Sequence, residues 1–295
     1  MKNGLKKKGR SFYLLILLPA VALYSLALIV PLFCGTIPSS LYDWNIIKGQ
    51  REFIGLKNFA ELLGDGKFLN SLLFSLKLGV VSICLKNVIA FVISYFLNEN
   101  VFAKGLTRSL FFMPNTIGGI MVAFIWGFLF TNVLPSFFAS VGLMGLASIS
   151  WFGSANMAFL TIIIAGVWCG SGFLMVLYLA GLQNISTDII EAATIDGCTG
   201  IKKILKIQLP LLMPTITINL FVSIAGAFKS FDIPYAMTGG GPGGATNTIA
   251  LNIYNDAFST YDMGYACAKS VVLFLIVMVI TCIQLYLTRR REVQL

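Results

Sequence analysis

Residues 186 to 214 read STDIIEAATIDGCTGIKKILKIQLPLLMP, a polar, sharply punctuated stretch lying between two long apolar runs. Asp188 can cap a helix whose third following residue is Glu191, a capping-box-like arrangement. Ala192 and Ala193 favour helix and keep one surface low enough for close contact. Gly197 supplies the left-handed turn that stops the helix. A basic amphipathic run follows over 201–208 with Lys202, Lys203 and Lys206. Pro210 then stands where the first turn of an apolar span begins, its missing N–H harmless there. The stretch reads as a short helix, a tight corner, and a second helix that feeds a membrane crossing.

Outward from this loop the chain is dominated by apolar runs. Of its 295 residues, 57% are hydrophobic and only 11% charged, a balance that fits a bilayer and not a soluble domain. About 20 apolar residues cross a hydrocarbon core of ~30 Å. Runs of that length fall at 12–37, 70–97, 108–130, 157–181, 210–232 and 266–288. The first follows a basic tail over 1–11, yet it is too long for a secretory h-region and lacks a small-residue exit, so it reads as a retained anchor. An even number of crossings puts both termini on one side. Lys2, Lys6, Lys7, Lys8 and Arg10, then Lys104 and Arg108, Lys202, Lys203 and Lys206, and Arg289, Arg290 and Arg291 all fall on that side. The positive-inside bias makes it the cytoplasm. The expectation is an all-α integral membrane protein of six transmembrane helices over 12–288, with a short basic tail at 289–295. An external segment at 38–69 and a cytoplasmic loop at 182–209 are long enough to hold short helices and a partner surface.

The same composition excludes several chemistries. With no histidine, acid/base catalysis by imidazole and His-ligated metal sites are absent. The six cysteines include no C-x-x-C pair and read as small hydrophobes. A net charge of +9 comes from residues clustered at chain ends and between spans, which marks orientation in a membrane and gives no reason to expect nucleic acid. Gly239 to Gly244 formally fit G-x-G-x-x-G, but they follow an apolar helix instead of a strand and no phosphate-binding lysine follows them. No cofactor site is expected in this chain.

Glu191-Ala192-Ala193, three residues, Gly197, nine residues, Ile207, one residue, Leu209-Pro210 resembles the EAA loop of permease subunits of bacterial binding-protein-dependent ABC importers. TGGGPGGATNTIALNIYNDAF from Thr238 to Phe258, FFMPNTIGGIMVAFIWGFLF from Phe111 to Phe130 and FIGLKNFAELL from Phe53 to Leu63 are similar to the carbohydrate branch of that family, the MalF/UgpA-type sugar permeases. The resemblance implies a type I importer permease in the bacterial inner membrane. Its implied partners are a second homologous permease, two ATPase subunits that hold ATP and Mg, an external sugar-binding protein, and membrane lipid. It further implies that Glu191 makes an acidic contact in a cleft of the ATPase, that Ala192 and Ala193 give the close-packing surface, that Gly197 forms the corner, and that Asp196 belongs to the same ATPase-coupling set.

Intramembrane charge is costly and so informative. Lys77, Lys86, Lys229 and Lys269 fall inside or at the edge of the expected spans, with Asp232 three residues after Lys229. Snorkelling to the interface, or a Lys229–Asp232 pair, accounts for three of them; Lys86, near the middle of the second span, needs an acceptor or water. On the fifth span Asn219, Ser223, Gly226 and Ser230 share one helical stripe. This stripe, with Lys86, reads either as the lining of a hydrated sugar pathway or as a helix-packing seam. Gly166 and Gly170 read as a packing motif. Gly239, Gly240, Gly241, Pro242 and Gly243 read as a plain turn or as a contact for the docked binding protein, and the resemblance favours the second. Two alternatives to a neutral-sugar importer stand at this point: an ion-coupled secondary transporter, and an importer of an anionic sugar or sugar phosphate.

Overall fold

The computed structural model describes residues 17–99 and 104–290. The basic tail 1–11, the start of the first span at 12–16, residues 100–103 and residues 291–295 lie outside them. Among the described residues, five helices are long and apolar enough to cross a membrane, and a bent pair brings the number to six.

The first, α1, runs over Leu17–Ser39. Pro31 cannot donate a backbone hydrogen bond, and wide i→i+5 turns at Ser25–Ile29 and Pro31–Thr36 absorb the defect. Its apolar side chains stay exposed in this chain, Leu23 and Leu26 at 68% each. The external segment was expected to hold short helices. It holds one, α2 (Lys57–Leu62), preceded by an antiparallel hairpin of β1 (Tyr42–Asn45) and β2 (Gln50–Phe53), with Tyr42 opposite Phe53. Asn45 makes the turn: its Oδ1 accepts from the N–H groups of Ile47 and Lys48 at 3.1 Å.

Then come α3 (Gly66–Asn98), α4 (Lys104–Thr116), α5 (Gly119–Ser140), α6 (Met144–Ala147), α7 (Ala155–Gln183), α8 (Thr187–Ile195), α9 (Gly200–Leu211), α10 (Met213–Phe228), α11 (Asp232–Thr238), α12 (Ile249–Phe258) and α13 (Met263–Arg289). The chain divides into two compact units, Met1–Asp65 with Ile253–Phe274, and Gly66–Asn252 with Leu275–Leu295.

In the first unit the hairpin is tied to the end of α12 and the start of α13. The Ile46 N–H donates to the Tyr261 carbonyl at 3.1 Å. Gly264 lies directly beneath the Tyr42 carbonyl, where a β-carbon would overlap backbone atoms. Asn58, 5% exposed, donates from Nδ2 to the carbonyls of Ser40 and Tyr42 at 2.9 and 3.0 Å.

In the second unit α3 packs lengthwise on α7. Ala90, Leu97, Leu174, Met175, Tyr178 and Leu179 form one apolar cluster, and Leu78, Ile162, Ile163 and Val167 another. Small residues let the backbones approach, as expected where lipid supplies no hydrophobic drive between helices: Ser71, Ser75, Ser82 and Ser94 of α3 are all buried. Gly172 sits under the Phe111 carbonyl of α4 with no room for a methyl group.

Two crossings depart from the sequence reading. The third, expected at 108–130, is interrupted at Gly118, whose backbone is extended, and continues as α5 to Ser140. A continuous apolar run hid this break. The fifth was expected to begin at Pro210. Pro210 instead ends α9, a bend of 74° follows, and Pro214 occupies the first turn of α10. Two prolines four residues apart each remove a ladder donor, and the helix breaks between them.

Candidate coupling and translocation site

The helix α8 is capped at both ends. Ser186, not Asp188, is the N-cap: its side chain accepts from the Asp188 N–H at 3.2 Å, leaving Asp188 in the first turn beside the positive end of the helix dipole. At the other end Gly197 has φ +73°, Cys198 N–H donates to the Ala193 carbonyl at 2.8 Å, and Gly197 N–H donates to that of Thr194 at 3.1 Å. These two bonds are the Schellman closure. A nine-residue helix stopped this firmly moves as one piece.

Its faces are distinct. Ala193 is buried, so it belongs to the interior contact and not to an outer docking surface alongside Ala192. Glu191, Ala192, Asp196 and Gly197 are exposed. Ile195, at 86% exposure, extends that outer face. Sequence reading passed over Ile195 because an isoleucine in an apolar chain carries no signal until its exposure is known.

Within the second unit, a cavity of about 130 Å³ is lined by residues of α3, α7, α10 and α11 and of the link between the last two, among them Ser82, Lys86, Gly166, Gly170, Gly226 and Ser230. A β-carbon at Gly170 would stand 3.0 Å from Lys86 Cε, and one at Gly166 would meet nothing within 4 Å. These glycines therefore open space for Lys86 and the cavity; they do not join two helices. Among the described residues the Lys86 ammonium makes no hydrogen bond and no ion pair.

The polar stripe expected on the fifth span is divided. Gly226 of α10 lines the cavity, and Ser230, which lies beyond the end of α10 at Phe228, lines it from the link to α11. Asn219, fully buried, donates from Nδ2 to the Leu174 carbonyl at 3.5 Å. Ser223 accepts from Asn87 Nδ2 at 3.2 Å, and Asn87 Oδ1 accepts from the Tyr178 hydroxyl at 2.9 Å. One half of the stripe holds helices together and the other half lines the space between them.

The chain matches the family model described as binding-protein-dependent transport system inner membrane component over residues 86–293. It belongs to this family. The permease is 37% identical over 296 residues to the probable starch degradation products transport system permease protein of Thermoanaerobacterium thermosulfurigenes, covering 100% of this chain and 97% of that one. It is 31% identical to the trehalose/maltose transport system permease protein of Thermococcus litoralis, covering 99% and 98%. Its fold matches a chain in the crystal structure of a bacterial ABC transporter involved in import of the acidic polysaccharide alginate, with TM-score 0.81 at 20% identity over 98% and 99% of the two chains. The permease thus has the type I ABC importer architecture and is a multi-pass inner membrane component.

The glycine-rich turn of the permease is well braced. Gly239, Gly240, Gly243 and Gly244 all have positive φ, which glycine alone adopts without strain. Thr246, fully buried, shares a hydrogen bond with the Thr238 hydroxyl at 2.8 Å and donates to the Gly241 carbonyl at 2.5 Å. The exposed part comprises Gly239, Gly243 and Gly244, while Gly241 and Pro242 are half-buried and Gly240 is buried.

The remaining lysines correct the sequence reading. Lys229 and Asp232 form no ion pair; both are exposed, and Asp232 lies against Gly119. Lys77 stands over the Phe159 ring at 4.7 Å. Lys269, expected to snorkel, is 1% exposed in the first unit, 3.0 Å from Asp65 and 2.5 Å from Asp256, with the Tyr265 ring at 4.6 Å. Beside it, Asp262 caps α13 by accepting from the Tyr265 N–H at 3.2 Å. Burial pushes the Asp262 carboxyl above its ordinary pKa, with the Asp43 and Asp256 charges adding to the shift.

Proposed function

We infer that this chain is the membrane permease subunit of an ATP-driven carbohydrate importer, translocating a saccharide delivered by an external binding protein. The chain is not itself an enzyme; ATP and Mg belong to separate ATPase subunits. It works with a second permease, two ATPase subunits and the binding protein. The observation that carries this reading is α8: a doubly capped, rigid cytoplasmic helix that offers Glu191, Ala192 and Ile195 to a partner.

In this mechanism, closure of the ATPase pair on ATP displaces α8 as a body. The Gly197 corner passes the displacement through α9 to α10, whose Gly226 lines the cavity and which leads directly into Ser230 at its wall, so a solute site changes from outward to inward access. Lys86, Ser82 and Ser230 supply hydrogen-bond donors for hydroxyl-rich solutes. The turn Gly239–Gly243 receives the binding protein. Starch products and trehalose/maltose in the names of two relatives support saccharide as the solute class.

An ion-coupled transporter would need carboxylates at mid-membrane depth, and none of the six spans as bounded by the structure contains Asp or Glu. The test is uptake of labelled maltotriose into proteoliposomes bearing the four-subunit complex. Uptake should require internal ATP and the external binding protein. Accumulation by this polypeptide alone under a proton or sodium gradient would overturn the reading.

One observation favours an acidic saccharide as a second reading: the unpaired Lys86 ammonium in the cavity. Lys86→Met should then abolish uptake of an acidic oligosaccharide and leave that of a neutral one within about threefold, a free-energy change under ~0.7 kcal/mol. Equal loss for both would remove the charge-selective role.

A further inference from the structure

On or beside the arm formed by α9 and α10, three buried amide oxygens accept no hydrogen bond. They are Gln208 Oε1 of α9, Asn219 Oδ1 of α10, and Oε1 of Gln284 on α13, whose Nε2 donates to the Thr217 carbonyl of α10 at 3.3 Å. Each is enclosed, so neither water nor a solute reaches it, and a buried acceptor left empty is uncommon in folded proteins. Such an oxygen calls for a donor that the fold itself supplies in another arrangement.

Asn219 shows which donor. It is fully buried, its Nδ2 donates to the Leu174 carbonyl at 3.5 Å, the long limit for such a bond, and its amide lies beside the Tyr178 hydroxyl. One turn further along α10, Ser223 Oγ accepts from Asn87 Nδ2 at 3.2 Å. Asn87 is otherwise fully used: its Nδ2 also donates to the Ile83 carbonyl at 2.8 Å, and its Oδ1 accepts from the Tyr178 hydroxyl at 2.9 Å. This network ties α3, α7 and α10 together. On each helix it lies on the α8 side of the residues that line the smaller cavity, with Asn87 after Lys86, Tyr178 after Gly170 and Ser223 before Gly226. It is the floor of that cavity.

We propose that α10 has two registers against α3, up to one turn apart, and that Asn87 is the pawl between them, holding Ser223 in this structure and Asn219 Oδ1 in the other. The proposal rests on the reading that α8 drives α10, and it names the step by which that drive reaches the cavity. A slide of at most about 5.4 Å, one helical turn, brings Asn219 to the level that Ser223 now occupies. Asn87 then makes as many bonds as before, the orphan oxygen gains its donor, and the freed Ser223 hydroxyl donates to a carbonyl of its own helix one turn back. Both ends of α10 are breaks, the 74° bend after α9 and the link that follows Phe228. Beside the cavity Gly79 faces the Ala227 methyl, small residues that raise no ridge against a slide. The movement carries Gly226 along the cavity wall, so it reshapes the solute space while Asn87 keeps a partner at either end of the stroke.

The test is oxidative cross-linking in the complete complex in proteoliposomes, with linked peptides identified by mass. Two double variants are compared, Asn87→Cys with Ser223→Cys and Asn87→Cys with Asn219→Cys, without nucleotide and with ATP trapped by vanadate. Each pair should link in one condition and not the other, and the two pairs should prefer opposite conditions. Linking of the 223 pair in both conditions and of the 219 pair in neither overturns the slide; so does linking of both pairs in both, which is slack without exchange. Neither result touches the importer reading, which stands or falls on whether uptake by the unsubstituted complex requires ATP. In parallel, Asn219→Leu should lower ATP-dependent uptake of maltotriose about tenfold, the factor one hydrogen bond is worth, with an unchanged unfolding midpoint. Asn219→Asp, which keeps Oδ1 and loses the amide donor, should restore part of it. A lowered midpoint without rescue by Asn219→Asp makes Asn219 a packing residue and overturns the slide, as does uptake by Asn219→Leu equal to wild type.

Discussion

Lys269 and Lys86 both lie on helices that cross the membrane, and the two units treat them in opposite ways. Lys269 is enclosed, with Asp65 and Asp256 within 3.0 Å and an aromatic face beside it. Its charge is answered by its own chain, and the residue serves as a joint that fixes α12 and the entry to α3 against α13. Lys86 stands at a cavity walled by serines and glycines, with no carboxylate of the described chain in reach. Its charge is left for water, solute or a partner subunit to answer. A paired intramembrane charge marks architecture; an unanswered one marks the path of something that passes through.

The comparison breaks most visibly on removal of each amine. Lys269→Met leaves two carboxylates facing each other and should cost about 3 kcal/mol, the low end for a broken buried pair because both carboxylates retain some exposure. Lys86→Met should cost nothing or stabilise, since it removes desolvation without orphaning a partner. Thermal unfolding of the purified complex in detergent measures both, and equal losses would erase the distinction.

The glycines sharpen it at the next level. Gly172→Ala puts a methyl into the Phe111 carbonyl, backbone that cannot step aside, and should destabilise by about 1–3 kcal/mol. Gly166→Ala enters open space and should leave the unfolding midpoint unchanged. If both behave alike, Gly166 is a packing residue after all.

The smallest effect concerns Asp262. Its native pKa is raised by burial, so the folded state holds the proton more readily than the unfolded chain does. Stability therefore falls as pH rises from about 3.9, the ordinary aspartate value, through the folded value, and is level above it. Asp262→Asn keeps the cap on α13 and removes that cost. Its midpoint should exceed that of wild type slightly at about pH 7 and equal it at about pH 3. A lower midpoint at about pH 7 would show that attraction to Lys269 outweighs burial.

Much of this molecule was legible in advance where the signal is local. Gly197 announces its corner because only glycine sits easily at φ +73°, and apolar runs announce crossings because hydrocarbon thickness sets their length. What failed was non-local or a matter of direction. The partners of Lys269 come from two other segments, and no periodicity links them. Ala192 and Ala193 look equivalent in sequence, yet the helix turns one outward and one inward. The stripe expected on the fifth span held for Asn219, Ser223 and Gly226, while α10 stops at Phe228, before Ser230; which neighbour met which residue depended on how α3 and α7 pack. Ser186 took the cap from Asp188 because the chain enters α8 two residues earlier than the capping-box pattern suggests.

The central claim is that α8 and its corner transmit force from an ATP-hydrolysing partner to the cavity. The most direct measurement is saccharide taken up per ATP hydrolysed in proteoliposomes carrying the assembled complex with Gly197→Val. A side chain has space there but strains the left-handed backbone by about 1–2 kcal/mol, which should loosen the corner without dissolving the complex. The account predicts continued hydrolysis with uptake per ATP reduced at least about tenfold; a ratio equal to wild type in an intact complex would contradict it.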